Sequence, residues 1–225
     1  MCGIIGVVSN KYISQRDLWV ISKDAERRGL DSSGILFNSG EDFLLKRSNK
    51  SLTKLIRISN FKKTNFIIGH SRLITNSLKE NQPVKRESIY VIHNGIVVNS
   101  SEVWDKINLK ANLKIDSEAI AAIVQKVLDE SQESSKKINY KSIFKSIKKY
   151  TKGTISCAIM IPKLGKILLY SNNGSLHLGH KNKQKIFSSE KYILEKLSCE
   201  KISQIREIGK VINIPIVMKE PTLIE

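Results

Sequence analysis

Short apolar runs that are typical of strands lie at both ends of the chain, and helical patterns lie between them. The first run, GIIGVVS, comes directly after Cys2 and is consistent with a buried strand. Further along, Asp116 and Ser117 stand at the head of EAIAAIVQKVLDE, whose apolar residues form one helical stripe. This distribution predicts two packed sheets covered by helices, an α+β fold.

Other patterns extend the predicted order of elements. Ser14 and Asp17 have the spacing of a capping box, at the start of a helix that stops at Gly29. A second helix is predicted over KINYKSIFKSIKKY and a short last one over EKYILEKL. The remaining runs predict strands: GILFN and FLLKR around a turn, NFIIGHSRL, SIYVIHNGIVVN, TISCAIMI, KILLYSN, SLHLGH and KIFSS.

The chain has no internal repeat and no linker-like segment, so residues 1–225 are expected to form one domain. No apolar run approaches the ~18–20 residues that span a bilayer, and the apolar start is too short for the core of a signal peptide. We therefore expect a cytoplasmic protein without membrane contact. Cys2, Cys157 and Cys199 lack a zinc-type spacing, so neither a disulfide framework nor a metal site is predicted. Cys157 in a strand and Cys199 in a helix are expected to be inert thiols.

The formal net charge of +17 raises the question of a nucleic-acid partner. Of the 38 basic residues, 30 are lysine and 8 are arginine, and residues 134–189 hold 12 lysines and no acidic residue. That segment contains no arginine, whereas base reading uses arginines interleaved with stacking aromatic residues. We expect a solvated lysine-rich surface and no specific nucleic-acid binding, with a polyanion site as the alternative.

The position of Cys2 allows two interpretations. The residue could be a small apolar side chain that leads into a strand. If Met1 is removed, however, Cys2 carries a thiol and a free α-amine, whose pKa values of ~8.5 and ~8 lie close together. The amine could then take the proton of the thiol and produce a nucleophilic thiolate without a distant histidine.

Three further segments carry residues that could take part in binding or catalysis. Each segment also has a simple structural interpretation. RRGLDSSG, residues 27–34, suits a tight turn at a helix end. In GHSRLITN, residues 69–76, Arg72 leaves an apolar strand and is either a surface arginine or a bidentate partner for a carboxylate. In IHNGIVVN, residues 92–99, Asn-Gly is either a hairpin turn or a pair of donors for an oxyanion.

The order and spacing of these segments, followed by IDSEAI, resemble the glutaminase domain of class II glutamine amidotransferases, which are N-terminal nucleophile hydrolases. The resemblance covers residues 2–215 and implies a four-layer αββα sandwich of two antiparallel sheets between helix layers. HNG, RGLDSSG and IDSE are similar to glucosamine-6-phosphate synthase, and RLIT and NQP to asparagine synthetase. Leu73 and Asn76 depart from the sugar-synthase pattern, where a tryptophan and a histidine are usual.

The resemblance also implies roles for individual residues. Cys2 would be the nucleophile with its own amine as base, and Asn94 and Gly95 would hold the oxyanion. Arg72 would bind the α-carboxylate of L-glutamine and Asp116 its α-ammonium group. Thr75 is assigned to the substrate loop and Arg28 to support around the nucleophile. No cofactor or metal is implied.

The histidines are not needed for this chemistry. His70 and His93 flank the expected site on strands and are interpreted as hydrogen-bonded neighbours, because the amine supplies the base. His177 and His180 are three apart in a strand-like run, so they face opposite sides and make a poor metal pair.

The resemblance finally bears on partners. Family members usually carry a synthase or synthetase domain after the glutaminase, and none is recognised in this sequence. We therefore expect ammonia to be delivered to a separate synthase subunit, in amino-sugar or asparagine-like biosynthesis. A free glutaminase and a catalytically idle basic docking module are the alternatives.

Overall fold

Two β-sheets pack face to face in the computed structural model, which describes residues 2–40, 42–59, 61, 63–73, 81–135, 137–214 and 222–224. The helices are α1 Gln15–Ala25, α2 Leu52–Ile58, α3 Ser100–Ile107, α4 Ser117–Glu133, α5 Tyr140–Tyr150 and α6 Lys191–Lys196. The strands are β1 Gly3–Val8, β2 Ser32–Ser39, β3 Asp42–Ser48, β4 Phe66–Arg72, β5 Val84–Arg86, β6 Ile89–Val97, β7 Gly153–Ile161, β8 Lys166–Ser171, β9 His177–Lys181, β10 Gln184–Ser188, β11 Glu200–Gln204, β12 Lys210–Asn213 and β13 Thr222–Ile224.

The first sheet has the strand order β11-β9-β10-β1-β4-β2-β3-β13, and the second has the order β12-β8-β7-β6-β5. The strand pairings are antiparallel except between β13 and β3, which run parallel. The expectation of two antiparallel sheets therefore holds apart from this one edge strand.

Three apolar cores divide the molecule into layers. One core packs α1, α2 and α6 against the outer face of the first sheet. A second core lies between the two sheets and contains side chains such as Ile4, Ile68 and Ile92. The third packs α3, α4 and α5 against the outer face of the second sheet. The layer order is helix–sheet–sheet–helix, and the predicted α+β fold is confirmed.

Two helices form as their sequence patterns predict. The side chain of Ser14 accepts a hydrogen bond from the amide of Asp17 over 3.4 Å and caps α1. In α5 the apolar stripe of Ile143, Phe144 and Ile147 is buried. Burial of each such side chain contributes about 1.5–3 kcal/mol of transfer free energy, so this stripe fixes which face of the helix meets the sheet.

SIYVIHNGIVVN forms a strand as predicted, whereas one of the two interpretations of Asn94–Gly95 and the placement of Cys199 were wrong. Asn94 and Gly95 lie inside β6 rather than in a hairpin turn, because β6 continues to pair with β7 through Gly95 and Ile155. Cys199 lies between α6 and β11 rather than in a helix. Cys157 is fully buried in β7, and burial raises the pKa of its thiol.

None of the helices described is both long enough and apolar enough to span a membrane. Within the same residues, no group of three or more His, Cys, Asp or Glu side chains could hold a metal ion.

Candidate active site

Cys2 lies at the edge of the gap between the two sheets. It precedes β1, which runs between β10 and β4. Ile4, two residues further on, packs in the core between the sheets, and side chains two apart in an extended chain share a face. The half-buried Cys2 side chain therefore faces the end of this gap.

Asn94 approaches Cys2 from the second sheet. Its Oδ1 accepts a hydrogen bond from the backbone nitrogen of Cys2 over 3.2 Å. Asn94 is buried, and its Nδ2 donates to no residue that the structure describes. The carboxamide thus binds the nucleophile candidate through its oxygen and keeps its two N–H donors for another acceptor.

Gly95 follows Asn94 and could not be replaced by a larger residue without movement. Its φ is +139°, and a Cβ atom placed there would lie 1.8 Å from the carbonyl oxygen of Thr154 on β7. The residue is exposed, so its backbone remains open to a ligand beside the Asn94 carboxamide.

Arg72 ends β4, and the turn that contains Gly29 packs on its backbone. A Cβ atom at Gly29 would lie 2.3 Å from the carbonyl carbon of Arg72. The amide of Asp31 donates to the carbonyl oxygen of Arg72 over 3.0 Å, and Ser32 pairs with Arg72 in the β2–β4 register. The turn around Gly29 and the end of β4 at Arg72, which are far apart in sequence, therefore pack against each other. Extending the register of Gly3 with Ser71 by one residue places Cys2 opposite Arg72.

Asp116 lies at the start of α4 and is tied to β6. Its Oδ2 accepts a hydrogen bond from the amide of Val97 over 2.8 Å, two residues beyond Gly95. A carboxylate at a helix N-terminus is also stabilised by the helix dipole. Asp116 is therefore held beside the end of β6, the strand that carries Asn94 and Gly95.

Arg28 supports Cys2 from the other side. Its Nε donates to the carbonyl oxygen of Cys2 over 2.9 Å, and its guanidinium forms an ion pair with Glu190. Burial lowers the pKa of Arg28, which the nearby Cys2 and Tyr192 partly oppose.

Burial disfavours the charged form of both histidines near the site. Burial lowers the pKa of His70 to about 3, and its Nε2 donates to the carbonyl oxygen of His93 over 3.1 Å. Burial also lowers the pKa of His93, although the carboxylate of Asp116 opposes this shift. The expectation that His70 and His93 are hydrogen-bonded neighbours is confirmed.

Sequence reasoning missed several residues of this region. Gln82 and Ser117 form a buried hydrogen-bonded group with His93, and Glu190 pairs with Arg28. The signals available were the polar pair Asn81–Gln82 before a proline and the serine after Asp116. Thr75 and Asn76 lie outside the described residues, and Leu73 is exposed.

Comparisons with curated proteins find similar sequences. The chain is similar to amidophosphoribosyltransferase of Pasteurella multocida, with 27% identity over 228 residues that cover 92% of this chain and 45% of that protein. It is also similar to glutamine–fructose-6-phosphate aminotransferase (isomerizing) of Rhizobium meliloti, with 23% identity over 208 residues that cover 89% of this chain and 33% of that protein. No family model matches the chain.

Two solved structures share the fold. Glutamine phosphoribosylpyrophosphate amidotransferase from B. subtilis has a TM-score of 0.71 at 18% identity and covers 94% of this chain and 49% of its own. A predicted glutamine amidotransferase from Pseudomonas aeruginosa has a TM-score of 0.56 at 12% identity, covering 97% of this chain and 100% of its own.

The resemblance to glutamine amidotransferase domains is therefore confirmed, and the relatives of this chain are enzymes. They include an amidophosphoribosyltransferase, which the sequence motifs alone did not single out. The chain spans less than half the length of these two curated relatives.

Proposed function

We propose that this chain, as a relative of the class II glutamine amidotransferases, hydrolyses the side-chain amide of L-glutamine to glutamate and ammonia. The observation that carries the proposal is the position of Cys2. Its backbone nitrogen binds Asn94 and its carbonyl oxygen binds Arg28, so an otherwise terminal residue is held from two sides.

The proposed nucleophile is the Cys2 thiolate. After removal of Met1, the α-amine of Cys2 takes the thiol proton, directly or through a water, because the two groups have similar pKa values of ~8 and ~8.5. The thiolate attacks the amide carbon of glutamine, and the C–N bond breaks as nitrogen takes up the proton and leaves as ammonia. Water then hydrolyses the glutamyl thioester and releases glutamate and the free thiol.

Asn94 and Gly95 are proposed to stabilise the oxyanion of the tetrahedral intermediates. Asn94 binds Cys2 through Oδ1, and its Nδ2 donates to no residue that the structure describes. The backbone of Gly95 is exposed beside this carboxamide. Loss of one donor of this kind typically raises the barrier by about 2.7–4 kcal/mol.

The amino-acid end of glutamine is proposed to bind Arg72 and Asp116. The guanidinium of Arg72 complements the α-carboxylate, and the carboxylate of Asp116 complements the α-ammonium group. Arg72 ends β4 of the first sheet, and Asp116 precedes α4 and binds the end of β6 in the second sheet. Thr75 remains proposed as a residue of the substrate loop.

The direct test is glutamate release by protein whose intact mass shows that Met1 is absent. Cys2→Ala is expected to abolish release, whereas Cys199→Ser, a matched change of a half-buried thiol away from the site, is expected to retain it. No release by Met1-free protein would instead favour the idle docking module. Full activity in protein that retains Met1 would refute the amine as base.

Substrate placement is tested separately. Arg72→Ala and Asp116→Ala are each expected to raise KM for glutamine steeply, since truncating one member of a buried charge pair commonly costs about 2–5 kcal/mol. Unchanged KM in both variants would show that glutamine binds elsewhere.

The ammonia is proposed to pass to a separate synthase subunit, in amino-sugar or asparagine-like biosynthesis. Transfer of the ammonia to an acceptor is supported by the names of the relatives. One is an amidophosphoribosyltransferase, and the other is an aminotransferase that acts on fructose-6-phosphate. The exposed lysines of α5 offer a face to an acidic partner. A gentle affinity pull-down followed by the glutaminase assay tests this: a partner should accelerate turnover, and fast turnover with no recovered partner would indicate a free glutaminase.

A further inference from the structure

We propose that Gln82 is a positioning residue of the active site, which holds the oxyanion donors and the ammonium-binding carboxylate in one arrangement. The inference rests on the proposed glutaminase function. Gln82 is 5% exposed and belongs to no strand or helix, and its side chain binds two separate parts of the site.

The carboxamide of Gln82 binds both backbone polar groups of His93. Its Oε1 accepts from the His93 amide over 2.5 Å, and its Nε2 donates to the His93 carbonyl oxygen over 3.1 Å. In an antiparallel sheet, a hydrogen-bonded residue pair exchanges these same two bonds. One side chain therefore performs the role of a neighbouring strand.

The register explains why a side chain is needed here. Val84 of β5 pairs with Val91 of β6, so continuing the ladder places Pro83 opposite Ile92 and Gln82 opposite His93. Pro83 has no N–H group to donate, and β5 begins only at Val84. The Gln82 side chain replaces the ladder bonds at the edge of β6, immediately before Asn94.

Gln82 is itself anchored to the first sheet. A Cβ atom at Gly34 of β2 would lie 1.9 Å from the Gln82 carbonyl oxygen, so the two backbones are in direct contact. The preceding Asn81 donates from Nδ2 to the carbonyl oxygens of Ser33 and Ser48, over 2.9 and 3.2 Å. Together, Asn81 and Gln82 thus link β2 and β3 of one sheet to β6 of the other.

The consequence for Asn94 follows from the planar peptide group. The His93 carbonyl oxygen accepts from both Gln82 and His70, so the peptide plane between His93 and Asn94 has a fixed orientation. That plane determines where the Asn94 carboxamide and the Gly95 backbone lie.

The second contact of Gln82 reaches the carboxylate. Its Nε2 donates to Ser117 Oγ over 3.3 Å, and this hydroxyl lies 3.1 Å from His93 Nδ1 and 3.4 Å from Asp116 Oδ1. The two N–H groups of Gln82 are therefore divided between the element that carries Asn94 and the residue that follows Asp116.

The experiment compares wild-type protein with Gln82→Glu in the glutaminase assay, over about pH 8 to about pH 5.5. The introduced carboxylate keeps the acceptor for the His93 amide, but it loses both donors and turns a negative charge toward a carbonyl. We expect kcat to fall by about 10–100-fold at the alkaline end, with a smaller rise in KM, because misplacement by about 1 Å can cost that much.

The distinguishing readout is rescue by acid. A buried carboxyl that faces the His93 carbonyl oxygen and lies near the Asp116 carboxylate becomes protonated well above ~4.3 and then regains one donor, so the activity ratio of variant to wild type should rise as pH falls. Gln184→Glu, a buried glutamine at the far end of β10, is the matched control and should show no such rise. Activities are compared at a temperature where circular dichroism shows each variant to be folded.

Two results would overturn the inference. Wild-type kcat in folded Gln82→Glu at alkaline pH, or a loss that is independent of pH, would show that Gln82 only fills space, while the proposed function would stand. Failure of the wild-type protein to release glutamate would remove the proposed function, and the inference would fall with it.

Discussion

Arg28 and Cys2 are joined by a hydrogen bond of 2.9 Å, from Nε of the guanidinium to the backbone carbonyl oxygen. Asn94 binds the nitrogen of the same residue, so both backbone polar groups of Cys2 are used. Residues near a chain terminus are normally among the most mobile of a chain. Here its position is determined by residues 26 and 92 positions away in sequence.

Arg28→Ala is expected to reduce kcat for glutamine by about 10–100-fold, because the Cys2 carbonyl loses its partner and the proposed nucleophile is less well placed. Glu190 also loses the cation of its ion pair. Steady-state kinetics measures the effect. Arg27→Ala is the control, since Arg27 is exposed in the same turn. Equal kcat in the two variants would contradict the supporting role.

Gly95→Ala is expected to impair both folding and activity. The added Cβ would lie 1.8 Å from the Thr154 carbonyl oxygen, at a φ of +139° that L-residues rarely adopt. We expect a loss of about 2 kcal/mol or more in the free energy of unfolding, measured by urea titration.

Gly40→Ala is the matched control for this prediction. Gly40 also has a positive φ, +65°, but no described atom outside its two chain neighbours lies within 4 Å of an added Cβ. Its substitution should cost only about 1 kcal/mol, the strain of the left-handed conformation. Similar losses at the two glycines would show that crowding at Gly95 is unimportant.

The fold was predictable from residue patterns as far as two sheets covered by helices. The layer order came from the family resemblance. α4, with 17 residues and a regular apolar stripe, was recognised, whereas α2 and α3, with 7 and 8 residues, were not. A helix of two turns has too few periodic positions to be distinguished from a loop.

The site shows a similar division. Cys2, Arg72, Asn94, Gly95 and Asp116 belong to short motifs, and the structure brings them to one end of the gap between the sheets. Gln82 could not be identified this way, because the groups that it binds come from β6 and the start of α4. The Asn94–Gly95 dipeptide was ambiguous because a local turn signal carries no information about the pairing of β6 with β7.

Glu118→Gln is expected to destabilise the protein by about 3–5 kcal/mol, measured by urea unfolding. Glu118 is fully buried and pairs with Arg86 over 2.6 Å. Its Oε2 also accepts from the amides of Asn112 and Leu113, over 3.0 and 2.8 Å. The neutral side chain leaves the buried guanidinium of Arg86 without its counter-charge.

The same variant should raise KM for glutamine, because the segment that Glu118 holds leads directly to Asp116. Glu195→Gln, which breaks the exposed pair with Lys191 on α6, should change neither stability nor KM measurably. A Glu118→Gln protein as stable as wild type would contradict the assigned importance of the buried pair.

The protein is expected to lose stability in mild acid, and His70 is expected to be one cause. Burial lowers the pKa of His70 to about 3 in the folded chain, compared with ~6.5 in the unfolded chain. Above pH ~6.5 the imidazole is neutral in both states and its contribution is fully present. As pH falls from there toward about 3, the unfolded chain binds a proton that the folded chain does not, so unfolding becomes more favourable.

The free energies of unfolding from urea titrations at about pH 7.5 and about pH 5 should differ by ~2 kcal/mol through His70 alone. His93, whose pKa is also lowered by burial, adds in the same direction. In His70→Gln, which keeps an N–H donor for the His93 carbonyl oxygen but cannot titrate, the difference between the two pH values should shrink by about that amount. An undiminished difference in this variant would mean that other groups cause the acid sensitivity.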